Sequence, residues 1–322
     1  MKNPFYKKSF LSLEHFSQED INYLIEKSFL VKKEKKENIY KYRLKNKNIA
    51  MIFEKNSTRT RCSTVIACFD EGGHAEFLGK DDIQMGVKES IKDTARVLGR
   101  MFDAIVFRGY KQETVEKLAQ FFGIPVINAL TDEEHPTQII ADFMTIKEVF
   151  GSLKGIKIAY LGDGRNNMVN SLIIGCAKMG INLSVGSPQS LWPDKNVIKI
   201  YQDIARTNDS YIKFIEDPYE AVKDSDVVYT DVWVSMGEEN KKGIKNRIKI
   251  LKPYTVTKKI MEATGKTNTI FLHCLPASHE NEFHNQEVTE EVFESNQSYV
   301  FQQAENKMHS LKAILISILG GE

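Results

Sequence analysis

A run of hydroxyls and guanidiniums, Ser57-Thr58-Arg59-Thr60-Arg61, is the most chemically loaded stretch of this 322-residue chain. Ahead of it lies the apolar run 49–53, of strand length. Behind it Cys62, Val65, Ile66 and Phe69 recur at the spacing of one helix face. The pattern predicts a strand-to-helix turn. The first N–H groups of a helix have no intrahelical partner, and the helix dipole is positive at that end. With the arginines, these donors make a site for a phosphate-like anion. The same residues also suit an ordinary Ser/Thr cap with solvated arginines.

Other candidates stand further along. Asp231 ends an apolar run, where a carboxylate can receive an ammonium group or simply brace a strand end. Cys274, in His273-Cys274-Leu275-Pro276, is either a reactive thiol or a small buried hydrophobe. His135-Pro136-Thr137-Gln138 opens a helical pattern. Gly162-Asp163-Gly164-Arg165 lacks the GxGxxG spacing of a dinucleotide loop, which argues against a nucleotide-binding oxidoreductase.

These blocks, together with Lys88-Glu89-Ser90-Ile91-Lys92-Asp93-Thr94-Ala95-Arg96 and Asp231-Val232-Trp233-Val234-Ser235-Met236-Gly237, occur in the order found in carbamoyltransferases. Over nearly its whole length the chain resembles the ornithine branch of that family. The resemblance implies transfer of the carbamoyl group of carbamoyl phosphate to the δ-amine of ornithine, giving citrulline and phosphate. It implies that Ser57, Thr58, Arg59 and Thr60 cradle the phosphate, and that Arg108 adds charge near the bridging and carbonyl oxygens. It also implies that His135, Pro136, Thr137 and Gln138 address the carbamoyl group, and that Gln84 reaches carbamoyl phosphate from the 79–88 loop. Asn167, Asp231, Ser235 and Met236 are implied for ornithine. Cys274 is implied beside Asp231, where the pair binds and deprotonates the amine, and Leu275 is implied to offer its carbonyl to the carbamoyl nitrogen. One position departs from the pattern: the family's Glu-Asn-Arg-Met-His reads Glu305-Asn306-Lys307-Met308-His309 here. Lysine keeps the charge but loses the bidentate fork, so carbamoyl phosphate binding is expected to be retained but weakened or re-angled. The segment after Pro276 is shorter than in many relatives, and in the family that segment closes over ornithine.

The elements that must position these residues follow from hydrophobic periodicity. Strands are expected at 49–53, 74–78, 104–107, 126–128, 157–161, 182–185, 212–214, 227–230 and 269–272. Helices are expected at 18–29, 58–71, 90–101, 113–122, 137–150, 167–179, 196–205 and 304–319. Alternation of this kind predicts an α/β protein with two doubly wound parallel-sheet domains. The expected division is 1–150 for carbamoyl phosphate and 151–303 for ornithine, with the C-terminal helix, 304–322, returning to the first domain. Active sites in such folds lie at the carboxyl ends of strands, so the motifs are expected to face a cleft between the domains.

Composition excludes several classes. With 42% hydrophobic and 27% charged residues and a net charge of +1, the molecule has no global pull toward nucleic acid or an anionic membrane. No apolar stretch approaches membrane-spanning length. The four cysteines are scattered without a CxxC pair, which fits a reducing cytoplasm, and no metal or cofactor constellation appears, although Cys274 with His273 could take up zinc adventitiously. The run Lys32-Lys33-Glu34-Lys35-Lys36-Glu37 reads as a solvated helix face. The resemblance implies a homotrimer or a multiple of trimers. The Gly162–Asn167 stretch leans toward the branch that includes many citrulline-degrading enzymes. A putrescine carbamoyltransferase and a non-catalytic paralogue remain the rival readings. An aspartate enzyme is disfavoured, because Asp231 would repel a dicarboxylic substrate.

Overall fold

The computed structural model describes residues 3–234, 242–279 and 287–320. The chain divides into two compact units, Met1–Met144 with Glu305–Glu322, and Thr145–Ala304.

In the first unit the order is α1 (Gln18–Lys36), β1 (Asn48–Phe53), α2 (Thr58–Asp70), β2 (His74–Gly79), α3 (Ile91–Leu98), β3 (Ala104–Arg108), α4 (Gln112–Phe122) and β4 (Val126–Leu130). Helix α5 (Pro136–Phe150) begins there and ends in the second unit. The four strands form a parallel sheet in the order β2-β1-β3-β4. All five residues of β3 and five of the six in β1 are buried, as a parallel strand covered on both faces requires. Ile52, Ile105 and Phe107 pack with Val115, Leu118 and Phe122 of α4.

The second unit runs β5 (Lys157–Leu161), α6 (Asn167–Met179), β6 (Asn182–Gly186), α7 (Lys195–Thr207), β7 (Ile212–Ile215), α8 (Pro218–Val222), β8 (Val227–Thr230), α9 (Ile244–Leu251), α10 (Lys258–Glu262), β9 (Ile270–His273) and α11 (Glu290–Phe293). Its parallel sheet has the order β7-β6-β5-β8-β9. Helix α12 (Val300–Leu319) starts here and continues into the first unit. Its stripe of Leu311, Ile314, Leu315 and Ile318 is buried. Lys312, also buried, donates to Asp70 at 2.6 Å, which ties α12 to α2.

Two expectations are corrected. Helix α1 runs seven residues past Phe29, because nothing in the sequence stops it and Val31 is buried. Its Lys-rich end is not wholly solvated. Glu34 is buried, with Lys41 at 2.9 Å and the Arg43 guanidinium in closer contact. Arg43 also bonds Glu71 at 2.8 Å. The apolar stripe of α2 points outward: Val65, Ile66 and Phe69 are exposed, and Thr60, Ser63, Thr64 and Ala67 are buried. The short helices α8 to α11 carry too few turns for periodicity to reveal them.

Candidate active site

Both sheets bring their candidate residues to the carboxyl ends of neighbouring strands. In the first unit the 57–60 turn follows β1, Arg108 ends β3, and His135 follows β4; these three strands are adjacent. In the second, Asn167 follows β5, Asp231 follows β8 and Cys274 follows β9, again three adjacent strands. In both sheets the strand order reverses within these triplets, where open α/β sheets place their ligands.

Ser57 is the N-cap of α2: its hydroxyl accepts the Thr60 N–H at 3.2 Å. Thr60 Oγ1 is buried and has no hydrogen-bond partner. A buried donor left open at a helix N-terminus is what a bound anion would satisfy. Thr58 is exposed and Arg59 half-buried. Arg61 turns away, with its guanidinium 3.8 Å from the centre of the Phe77 ring. The pair of arginines expected at this turn is therefore split. Lys55, which sequence reasoning passed over, is buried; it contacts Asp132 and lies 4.5 Å from the Tyr110 ring centre. It ties the end of β1 to the turn after β4.

Arg108 is buried at the end of β3, where the pairing with β4 shifts register between Phe107 and Arg108. Such an irregularity re-aims a side chain at a strand end. The Thr131 hydroxyl shapes the turn that delivers His135: it accepts the Glu133 and Glu134 N–H groups and donates to Gln112 at 2.8 Å. Thr131 and Gln112 carry no signal in the sequence, since a Thr in a polar turn is unremarked. Pro136 starts α5 at a position where its missing N–H costs nothing. Gln138 donates from Nε2 to buried Asp142 at 2.8 Å, which fixes its amide and leaves Oε1 a buried acceptor without a partner. A carbamoyl –NH2 is the kind of donor that position lacks.

His135 is buried, with Nε2 3.1 Å from Lys307 Nζ and Nδ1 3.4 Å from the Thr137 hydroxyl. Burial, then Lys307, then Arg108 hold its pKa well below the ordinary histidine value, so the ring is neutral. Lys307 reaches this group from α12. Gln84 does not join it in the single chain: it is exposed, and its carbonyl accepts the N–H groups of Val87, Lys88 and Glu89.

In the second unit Asp231 is buried, and its Oδ1 accepts from the Val232 N–H at 2.8 Å and from the Cys274 thiol at 3.2 Å. The thiol expected beside a carboxylate is thus in direct contact with it. His273 positions the residue two further on: Nδ1 accepts the Leu275 N–H at 2.8 Å, and Nε2 meets Glu287 at 3.1 Å. Leu275 sits at φ 60°, a left-handed conformation that non-glycine residues hold only when their surroundings impose it, and the Leu275–Pro276 peptide is cis. Asp231, His273 and Cys274 offer donor atoms within 4.8 Å of one another. Both His273 nitrogens are already engaged, so a metal ion bound through either one would have to displace an existing contact. Asn166 caps α6 through its side chain, and Asn167, half-buried, is the first helical residue. Asp163 receives two bonds from the Arg165 guanidinium, at 3.1 and 3.0 Å, and stands 3.8 Å from Arg247. Ser235 and Met236 lie outside the described residues, as do 280–286 of the segment after Pro276.

One unit therefore presents donors and cations at its strand ends, and the other presents a carboxylate and a thiol. The chain belongs to the aspartate/ornithine carbamoyltransferase family. Residues 8–148 match the model of its carbamoyl-P binding domain, and residues 154–318 match that of its Asp/Orn binding domain. Within that family its relatives are ornithine carbamoyltransferases. It is 54% identical over 312 residues to the ornithine carbamoyltransferase of Caldanaerobacter subterraneus subsp. tengcongensis, covering 97% of each chain. It is 50% identical over 325 residues to the catabolic ornithine carbamoyltransferase of Bacillus licheniformis, covering 97% of this chain and 96% of that one. The structure of the Pyrococcus furiosus ornithine carbamoyltransferase matches with a TM-score of 0.92 and 41% identity over 99% of both chains.

Proposed function

We propose that the protein transfers the carbamoyl group of carbamoyl phosphate to the δ-amine of L-ornithine, releasing L-citrulline and phosphate. The observation that carries this reading is the Cys274–Asp231 contact at adjacent strand ends. A carboxylate and a thiol side by side form a proton-accepting site for an ammonium, which has no lone pair until it loses a proton. In the other unit the 57–60 turn and Arg59 would hold the phosphate, and Arg108, His135, Gln138 and Lys307 would hold the carbamoyl end. The free amine attacks the carbonyl carbon and a C–N bond forms. The tetrahedral adduct then collapses, the C–O bond to phosphorus breaks, and inorganic phosphate leaves. The ammonium's first proton passes to the Asp231–Cys274 pair before attack, and the second, lost from the adduct nitrogen, leaves with the departing phosphate. Negative charge that develops on the carbonyl oxygen is met by preorganised cations, and positioning supplies much of the remainder. The Leu275 carbonyl, aimed by the His273 bond, is the proposed acceptor for the carbamoyl nitrogen. Asn167, Ser235 and Met236 are proposed to hold the amino-acid end of ornithine.

The proposed setting is the cytoplasm. Among the described residues no helix is long and apolar enough to cross a membrane. The proposed assembly is a homotrimer or a multiple of it, in which Gln84 would serve a neighbouring site. The exposed stripe of Val65, Ile66 and Phe69, with Phe69 76% accessible, supports a subunit contact over α2. Citrulline and phosphate release from carbamoyl phosphate, measured with ornithine and with putrescine, tests the function. Turnover with ornithine alone supports it. Preference for putrescine would give Asp231 a different amine, and no turnover with either would favour a non-catalytic relative.

A further inference from the structure

The three strands that lead to the 57–60 turn, Arg108 and His135 begin around a second concavity. Lys47, Asp103 and Pro125 directly precede β1, β3 and β4, and they line a cavity of about 460 Å³ in the first unit. The strands set it roughly 16–20 Å from the anion-site candidates at their other ends. A volume of this order suits a small molecule.

Its walls are fixed from both sides. The N-terminal segment is tied to α12, where the Lys7 N–H donates to the Ile318 carbonyl at 2.9 Å and Asn3 Nδ2 to the Ser317 carbonyl at 2.7 Å. It is also tied to β4, where the Ser9 hydroxyl accepts the Val126 N–H at 3.0 Å and the Phe10 N–H donates to the Val126 carbonyl at 2.8 Å. Phe102, Ala119, Ile124 and Leu319 line the cavity and are only half-buried, so apolar surface is left facing it. The charges are unequal. Asp103 is taken, with one oxygen on Lys47 at 3.0 Å and the other on the Asn48 N–H at 2.9 Å. Lys7 Nζ stands 5.3 Å from the Tyr6 ring centre, and among the described residues no carboxylate pairs with it. The last-turn carbonyls of α12 that would repel an anion, those of Ser317 and Ile318, already accept bonds from the N-terminal segment.

We propose that this cavity binds a small amphipathic monoanion, an aliphatic or aryl body ending in a carboxylate or sulfonate. The body lies against Phe102, Ala119 and Ile124, the anionic head meets the Lys7 ammonium, and the Ser9 hydroxyl, which accepts from Val126, has its own proton to give the head. The proposal stands apart from the carbamoyl-transfer reading, and neither needs the other.

The probe is 8-anilinonaphthalene-1-sulfonate, titrated into the protein and followed by fluorescence. Saturable binding of one dye per chain is expected, with a dissociation constant of about 10–100 µM. Octanoate should displace the dye and octylamine should not. Ala119→Phe, which fills the cavity from α4, should weaken binding by about tenfold or more. Lys7→Gln, at an exposed position that leaves the fold intact, should weaken it by about three- to tenfold. Arg108→Met, at the other end of β3, should bind the dye as the wild type does. No saturable binding in the wild type, undiminished binding in either folded cavity variant, equal displacement by octylamine, or loss of the dye in Arg108→Met would overturn the proposal.

Discussion

Around Arg108 the protein presents cations, the buried Thr60 hydroxyl and a histidine kept neutral; around Asp231 it presents a carboxylate, a thiol and a second acid, Glu287, one residue removed through His273. The two groups use the same scaffold position, the ends of three adjacent parallel strands, for opposite chemistry. They also differ in how they are held. The first is fixed largely by helix caps and turn hydroxyls, through Ser57, Thr131 and the proline that opens α5. The second is fixed by contacts between strand ends and the segments that follow them, as when His273 grips both Leu275 and Glu287. The lesson is that an anion site can be assembled from local backbone geometry, whereas an amine site needs side chains brought together from separate strands.

The contrast can be broken in order of expected effect. Asp231→Asn keeps the shape of the acceptor site and removes its charge. Citrulline formation should fall by about 10²–10⁴-fold, the usual range for losing a proton acceptor. Arg108→Met should cost about 10²–10³-fold in kcat, because a preorganised cation at the developing oxyanion is lost. Equal losses of ornithine and carbamoyl phosphate affinity in either variant would mean that the two sites are not divided as described.

A third prediction concerns stability. Glu134, next to His135, has its carboxyl pushed up to about 7 by burial, opposed by a bond from Ser12 and reinforced by Glu14, Glu133 and Glu116. The folded state holds this proton more tightly than the unfolded state, whose value is 4.5. Its contribution is fully present below pH 4.5 and is lost as pH rises to about 7, on the order of 2–3 kcal/mol across that window. Glu134→Gln should flatten this decline in denaturant melts taken from pH 4.5 to 8. An unchanged slope would show that Glu134 does not cause it. The smallest effect is expected from Cys274→Ser. A hydroxyl still donates to Asp231, so kcat should fall by only about tenfold, and its pH dependence should lose any limb owed to the thiol.

Much of this arrangement is legible in the sequence where the physics is local. Ser57 announces a cap, Gly123 a left-handed helix stop at φ 68°, and the runs at 157–161, 167–179 and 227–230 end where the elements end. What escapes depends on partners far along the chain. Glu34 reads as solvated until Arg43 is seen to cover it, and the contact of Lys307 with His135, 172 residues away, has no local signal. The outward face of α2 has the same spacing as a core face, because periodicity records which residues share a side and not what that side meets. His273 is read only as a stray zinc ligand, since its true partners, the Leu275 N–H and Glu287, come together only in the folded turn.

The division of labour between the two sites is tested most directly by calorimetric titration of carbamoyl phosphate into the Asp231→Asn protein, without any amine present. The expected dissociation constant is within about twofold of wild type, because Arg59, Arg108 and the 57–60 turn are the residues proposed to hold the anion, while turnover is largely lost. A large loss of carbamoyl phosphate binding in this variant would contradict the account.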